Sequence, residues 1–255
     1  MKTILKYIFI TALRDWLYIG LLIMLAGAFG ISSLIGRTAL SEEMQMQIIY
    51  FSSISRIITI CGMILFICFH IKRSFDNKEI QFILSKPISR HKFIISYWIS
   101  FNVVSLLLLV PILITIYLFS SVNLIGLLLW TLSLVLELLL ISTFAIVASL
   151  ILKSAVSSVL ATSSFYLLSR MMGFFVYTIK IPTNTQDVSS FTGINKGLLK
   201  ILSIIFPRLD LFTKSEWLLY SIKNYSELNL ILIQSLIYIP LMLLVAFNDF
   251  KRKQF

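Results

Sequence analysis

The sequence predicts an all-helical, polytopic membrane protein with six transmembrane helices. Three observations carry that prediction. Of 255 residues, 58% are hydrophobic and only 13% are charged, against roughly 25% charged in soluble domains. Mean hydropathy is +0.96. Six apolar runs, each near the roughly 20 residues that cross a hydrocarbon core as a helix, are separated by polar segments.

The chain starts "MKTILKYIFITALRDW". Its apolar stretch is short, meets Arg14-Asp15, and has no small-x-small site after it, which argues against a cleaved signal. Leu5, Ile8, Phe9, Ala12, Leu13 and Trp16 recur at helical spacing, while Lys6, Thr11 and Arg14 fall elsewhere on the wheel. That pattern predicts an N-terminal interfacial helix. The first span is 16–36, bounded by Arg37. After "RTALSEEMQMQ", the second covers about 48–71 and contains Arg56. A basic segment leads to the third, about 93–119, with Asn102 and Pro111 inside it. "SSVN" is a turn, and the fourth span, about 125–152, contains Glu137. Lys153 marks a tight turn into the fifth, about 155–179, which passes Arg170. Segment 180–227 is polar to mixed; within it "GLLKILSIIFP" is apolar but too short to cross, and reads as a re-entrant or interfacial helix. The sixth span is about 228–247, followed by "NDFKRKQF". All of 1–255 reads as one transmembrane domain.

The net charge is +11. In a soluble protein this would point to nucleic acid, but in a membrane protein such an excess belongs to cytoplasmic loops, so no nucleic-acid partner is expected. Six spans put both ends on one side. That side holds thirteen Lys and Arg and the other seven, mostly in one long loop. Both termini and the 72–93 segment are therefore expected in the cytoplasm, and 180–227 outside.

Cys61 and Cys68 lie in one apolar run and read as small buried hydrophobes. His70 and His91 are too few for a haem or metal site. No G-x-x-x-x-G-K-[ST] phosphate loop, G-x-S-x-G elbow or H-E-x-x-H occurs. No catalysis is expected in this chain, and no cofactor or metal.

Residues 72–93 read "KRSFDNKEIQFILSKPISRHKF". "DNKE" has the form of a helix start, Asp76 capping and Glu79 reaching back. Ile80, Ile83 and Leu84 then share a face. Pro87 stops that helix, and Ser89 can cap the third span. The segment predicts a short cytoplasmic amphipathic helix, a proline turn and a return to the membrane. It can equally be a positive-inside loop lying on lipid.

The run "FDNKEIQFILSKPISRHKFIISYW" resembles the segment between the second and third spans of type 2 ATP-binding-cassette (ABC) transporter permeases. Leu84, Ser85, Pro87, Ser89 and Arg90 match the family's "LS-x-P-x-S-R" core. The likeness extends over the chain: a basic N-terminal interfacial helix, six spans, a long outer segment before the last, and a basic tail. It departs at Lys78-Glu79 and Ser96-Tyr97, where the family often has Gly-Thr and Gly-Lys. The resemblance implies that Asp76–Leu84, with Asn77 inside it, is a coupling helix docked on a separate ATPase subunit. Ile80, Phe82 and Ile83 would be its apolar anchors. Asp76, Lys78, Glu79 and Gln81 would form the polar rim, and Pro87 and Arg90 would fix the bend into the third span. It also implies an exporter in a bacterial cytoplasmic (inner) membrane, working as a dimer with a second copy or a paralogue. ATP and Mg would sit on two ATPase partners, and membrane lipid would surround an exported substrate that the sequence does not name.

Arg56, Glu137 and Arg170 are ionisable groups inside spans, each expensive there. Counted from Ile71 and Lys153, all three sit about 22–26 Å from the cytoplasmic boundary at 1.5 Å per residue. The Lys153 turn makes the fourth and fifth spans neighbours, so Glu137 and Arg170 are expected to pair, with Arg56 nearby or snorkelling outward. The layer is either structural or a contact for an anionic or amphipathic substrate. Ser157, Ser158, Thr162, Ser163, Ser164 and Ser169 suit close helix packing, a dimer face or a path lining. Trp130 and Trp217 suit an aromatic belt. Two rival readings are an ion-gradient-driven secondary transporter using Glu137 and a non-transport membrane anchor or assembly factor.

Overall fold

A computed structural model describes residues 7–12, 16–38, 42–80, 89–119, 122–180, 205–220 and 226–252. Six long helices dominate: α1 (Trp16–Gly36), α2 (Glu43–Asp76), α3 (Arg90–Tyr117), α4 (Leu124–Ile151), α5 (Ala155–Lys180) and α6 (Ser226–Arg252). Each contains a stretch long and apolar enough to cross a membrane. The chain is an integral membrane protein of the helical type, and the described residues contain no strand.

The six spans stand where the apolar runs predict them, with different ends. α2 is the clearest case. It has 34 residues, about 51 Å at 1.5 Å per residue, well beyond a hydrocarbon core of about 30 Å. The expected 48–71 is only its middle. Neither flank, 43–47 or 72–76, contains Gly or Pro, and Glu, Met and Gln are good helix formers, so the helix propagates past the apolar run.

α4 sits at the centre, packed on α2, α3, α5 and α6, while α1 leans on α2. Its buried residues accordingly run almost all round it, from Trp130 and Leu134 through Glu137 and Leu138 to Ala145 and Ile146. Asn123 starts it: the side-chain Oδ1 accepts from the Ile125 N–H at 3.0 Å, satisfying one of the donors that a helix start leaves open. Two side-chain bonds register α3 against α4. Ser142 donates to Asn102 Oδ1 at 2.9 Å, and Trp98 Nε1 donates to Thr143 Oγ1 at 2.8 Å. In an apolar surround such bonds have little competition from water.

In α5, Ser158, Thr162 and Ser169 are buried, whereas Ser164 is exposed. Ser158 and Thr162 each donate to the backbone four residues earlier, so these two hydroxyls pack there without an open donor, whereas the Ser169 hydroxyl has no hydrogen-bond partner among the described residues. Two expectations are corrected. Trp130 is fully buried and Trp217 nearly so; neither belongs to an aromatic belt, because one faces the bundle from the second turn of α4 and the other plugs into it from outside the spans. Cys68 is buried, but Cys61 is exposed on the outward side of α2.

Candidate functional site

Two regions hold the residues singled out by the sequence, one at an end of the bundle and one near the middle of the spans. At the 77–90 end, α2 runs on through Asp76 and is closed by two backbone bonds, Asn77 N–H to the Arg73 carbonyl and Lys78 N–H to the Phe75 carbonyl. Lys78 follows at φ 56, a left-handed turn that breaks the helix before residues 79–80 become helical again. The expected capping box is therefore absent: Asp76 ends one helix and does not open the next. Glu79 is held from elsewhere. The Tyr7 hydroxyl donates to its Oε2 at 3.1 Å. Burial, then the hydrogen bond and charge of Glu79, push the Tyr7 phenol above its usual range, so it remains a donor at neutral pH.

Ile80 corrects the anchor assignment. It is 1% exposed and belongs to this chain's own core, so it is not a surface contact for a partner. Asp76, Asn77 and Lys78 are exposed. Gln81, Phe82, Ile83, Leu84 and Pro87 lie outside the described residues. Ser89 occupies the cap position of α3 in extended backbone, without a side-chain cap bond. Arg90 turns to the end of α6, its Nη1 donating to the Phe250 carbonyl at 3.1 Å and the Lys251 carbonyl at 2.9 Å. Lys72 Nζ donates to the Leu152 carbonyl at the turn between α4 and α5.

Near the middle of the spans, α4 and α5 bring Glu137 and Arg170 together, with Arg170 Nη1 3.6 Å from Glu137 Oε1. Glu137 is fully buried. A buried carboxylate needs both charge and hydrogen bonds, and residues 205–220 bring a second partner: Thr213 Oγ1 donates to Glu137 Oε2 at 2.8 Å. Arg56 is near, not snorkelling away. Its Nη1 donates to Thr213 Oγ1 at 3.1 Å and to the Thr213 carbonyl at 3.2 Å. Arg170 Nη1 donates to the Leu209 and Phe212 carbonyls. Two cations and one anion leave an excess positive charge, and these three main-chain carbonyls supply the negative dipoles that face it.

The 205–220 segment is built to enter this place. Pro207 precedes a 3-10 turn, Leu209–Leu211, and a single helical turn, Glu216–Leu219. Leu209, Leu211, Phe212, Trp217 and Leu218 are buried. Thr213 has φ 49, uncommon for a β-branched residue and costing about 1–3 kcal/mol. It is held there by two helices. Its N–H donates to Ser133 Oγ at 2.8 Å, so α4 grips it through Ser133 and Glu137 and α2 through Arg56. Two glycines admit the segment. A Cβ on Gly126 would stand 1.7 Å from the Trp217 carbonyl oxygen, and one on Gly173 would stand 2.6 Å from the Asp210 carboxylate. Asp210 pairs with Arg208 at 2.8 Å, and Lys214 with Glu227 at 2.8 Å. Among the described residues no three His, Cys, Asp or Glu side chains lie together as a metal site would require.

The sequence reading missed Thr213, Ser133, Gly126 and Gly173. Ser133 carried a signal, lying four residues before Glu137 on the same helix face. Thr213 carried none, since its role depends on a backbone turn in a segment without periodicity. Neither the family models nor the curated proteins compared with this chain match it.

Proposed function

We propose that this chain is the transmembrane permease subunit of an ABC exporter, driven by separate ATPase subunits. The observation that carries the reading is the "LSKPISR" run between the second and third of six spans. Helix α2 breaks at Asn77–Lys78 just before it, and α3 starts at Arg90 just after it. In this reading the segment that follows the break, 77–90, carries the coupling contact that the resemblance assigns to Asp76–Leu84, and the exposed Asp76, Asn77 and Lys78 form the rim offered to the ATPase. The short N-terminal helix lies at the cytoplasmic interface, where Tyr7 braces Glu79. The excess of Lys and Arg at that end supports a cytoplasmic position for both termini. Residues 205–220 are then outer, a re-entrant plug fastened by Arg56, Glu137 and Arg170. Those contacts support a structural duty for the charged layer: it closes the outer end. The apolar outer faces of α1 and α5 are free for lipid or for a second permease copy. ATP and Mg belong to the partner, and this chain does no chemistry of its own.

Co-purification from mild detergent tests the reading. A nucleotide-hydrolysing subunit is expected with the unmodified chain and is expected to be lost with Asp76→Arg/Lys78→Glu, which inverts two exposed charges without touching the core. If no ATPase accompanies the unmodified chain, the assignment is wrong.

A further inference from the structure

We propose that Arg90 is a positioning residue that joins the docking segment to α6, and that α6 carries displacement from there to the 205–220 segment. This rests on reading residues 77–90 as the docking segment.

Arg90 opens α3, directly after that segment. Its Nη1 donates to the Phe250 and Lys251 carbonyls at 3.1 and 2.9 Å. These belong to the last turn of α6, where carbonyls lack intrahelical donors and a cation complements the helix dipole. One guanidinium alone could swivel, but rings lock the joint. Phe93 stacks on Phe250 with centroids 5.5 Å apart and planes 8° apart. His91 meets Phe247 edge-on at 4.9 Å and 80°. Phe93 and Phe250 are both buried. The joint spreads over about one turn of each helix, so neither end can slide past the other without breaking several interactions at once.

The far part of α6 holds the other segment. Gln234 Oε1 accepts from the Arg208 N–H at 3.1 Å, and Glu227 pairs with Lys214 at 2.8 Å. Gln234 and Phe250 are about 24 Å apart along the helix at 1.5 Å per residue. α2 also reaches both ends, but it is packed on α1, α3, α4 and α5. α6 packs mainly on α4 and α3 and is among the most exposed spans, so it can shift while disturbing less of the bundle. A rigid-body shift of such a helix is an ordinary way to couple two ends of a domain.

Hydrogen exchange by mass spectrometry on the full chain in lipid nanodiscs tests this. In Arg90→Ala, exchange is expected to rise about tenfold in 246–252, as losing a charged hydrogen bond implies. It is also expected to rise severalfold in the distant 208–214, with Arg90→Lys restoring at least half of both. A rise confined to 246–252 makes Arg90 a local cap and overturns the proposal. Should Arg90→Ala fail to fold, Gln234→Leu decides in the complex with its ATPase trapped by ATP and vanadate. Trapping is expected to alter exchange in 208–214 of the unmodified chain but not of the variant, while 246–252 responds in both. Persistence of the 208–214 response overturns the proposal. If no ATPase binds the unmodified chain, the docking reading fails by itself, and the Arg90 comparison still decides the α6 link.

Discussion

Replacing Glu137 by Gln isolates the charge at the centre of the buried layer. Gln has nearly the same shape and can still accept the Thr213 hydroxyl, which lies 2.8 Å from Glu137 Oε2. What goes is the attraction to Arg170 at 3.6 Å, and the more distant attraction to Arg56. At an effective dielectric near 20, one pair at that separation is worth about 4–5 kcal/mol. Removing one member of a buried pair typically costs about 3–5 kcal/mol, because the other is left uncompensated. Arg170 is one-quarter exposed and keeps two carbonyl partners, so the low end, about 3 kcal/mol, is the expected loss. For a chain of this size that is a drop in Tm of about 6–12 °C, read by thermal unfolding in mild detergent. Amide exchange in 209–213 should accelerate alongside it. Arg170→Gln on top of Glu137→Gln should cost less than the sum of the two single changes by at least about 1.5 kcal/mol. A Tm within about 1 °C of the unmodified chain, with 209–213 equally protected, would refute the claim that this carboxylate fastens the segment.

Gly126→Ala places a Cβ against the Trp217 carbonyl and should strip the Asn123 N–H to Leu218 carbonyl bond, costing about 1–3 kcal/mol; Gly27→Ala, with nothing within 4 Å, is the matched control and should cost nothing measurable in Tm. Thr213→Val keeps the branched shape but removes the hydroxyl shared by Arg56 and Glu137; a loss of about 1–3 kcal/mol is expected, with Thr213→Ser recovering most of it in the same unfolding assay. The Tyr7–Glu79 contact should be insensitive to pH across the neutral range. Because the folded phenol is raised, its contribution is complete below the free value of about 10 and is lost as pH climbs past the folded one. A titration of thermal stability from neutral to alkaline pH should show that step, and Tyr7→Phe should abolish it.

The six spans were legible because an apolar run of fixed length is a signal that survives any tertiary detail. Their ends were less so: α2 continues through Glu43 and Asp76 because helix propagation answers to local propensity and not to hydropathy. Depth arithmetic from Lys153 put Glu137 and Arg170 at one level, since a tight turn leaves two helices no freedom of register. The partners of that pair were not legible. Arg56 and Arg170 spend their donors on main-chain carbonyls, and every residue type has the same carbonyl.

Ile80 shows a different limit. An amphipathic pattern states which side chains share a face, but not whether that face looks into the chain or out at a partner. Here Ile80 looks in, and the residues left outward at the break are Asp76, Asn77 and Lys78. If a partner docks at this break, as proposed above, the described residues offer it a charged rim in place of Ile80. A charged rim sets orientation and association rate more than affinity. On this reading the holding energy has to come from the rest of the segment, and the rigidity from what braces its ends. Tyr7 does this at Glu79 and the α6 terminus at Arg90. A segment tied at both ends, to the N-terminal helix and to α6, can pass on a push only by moving those helices with it, which a loop lying loosely on lipid would not do.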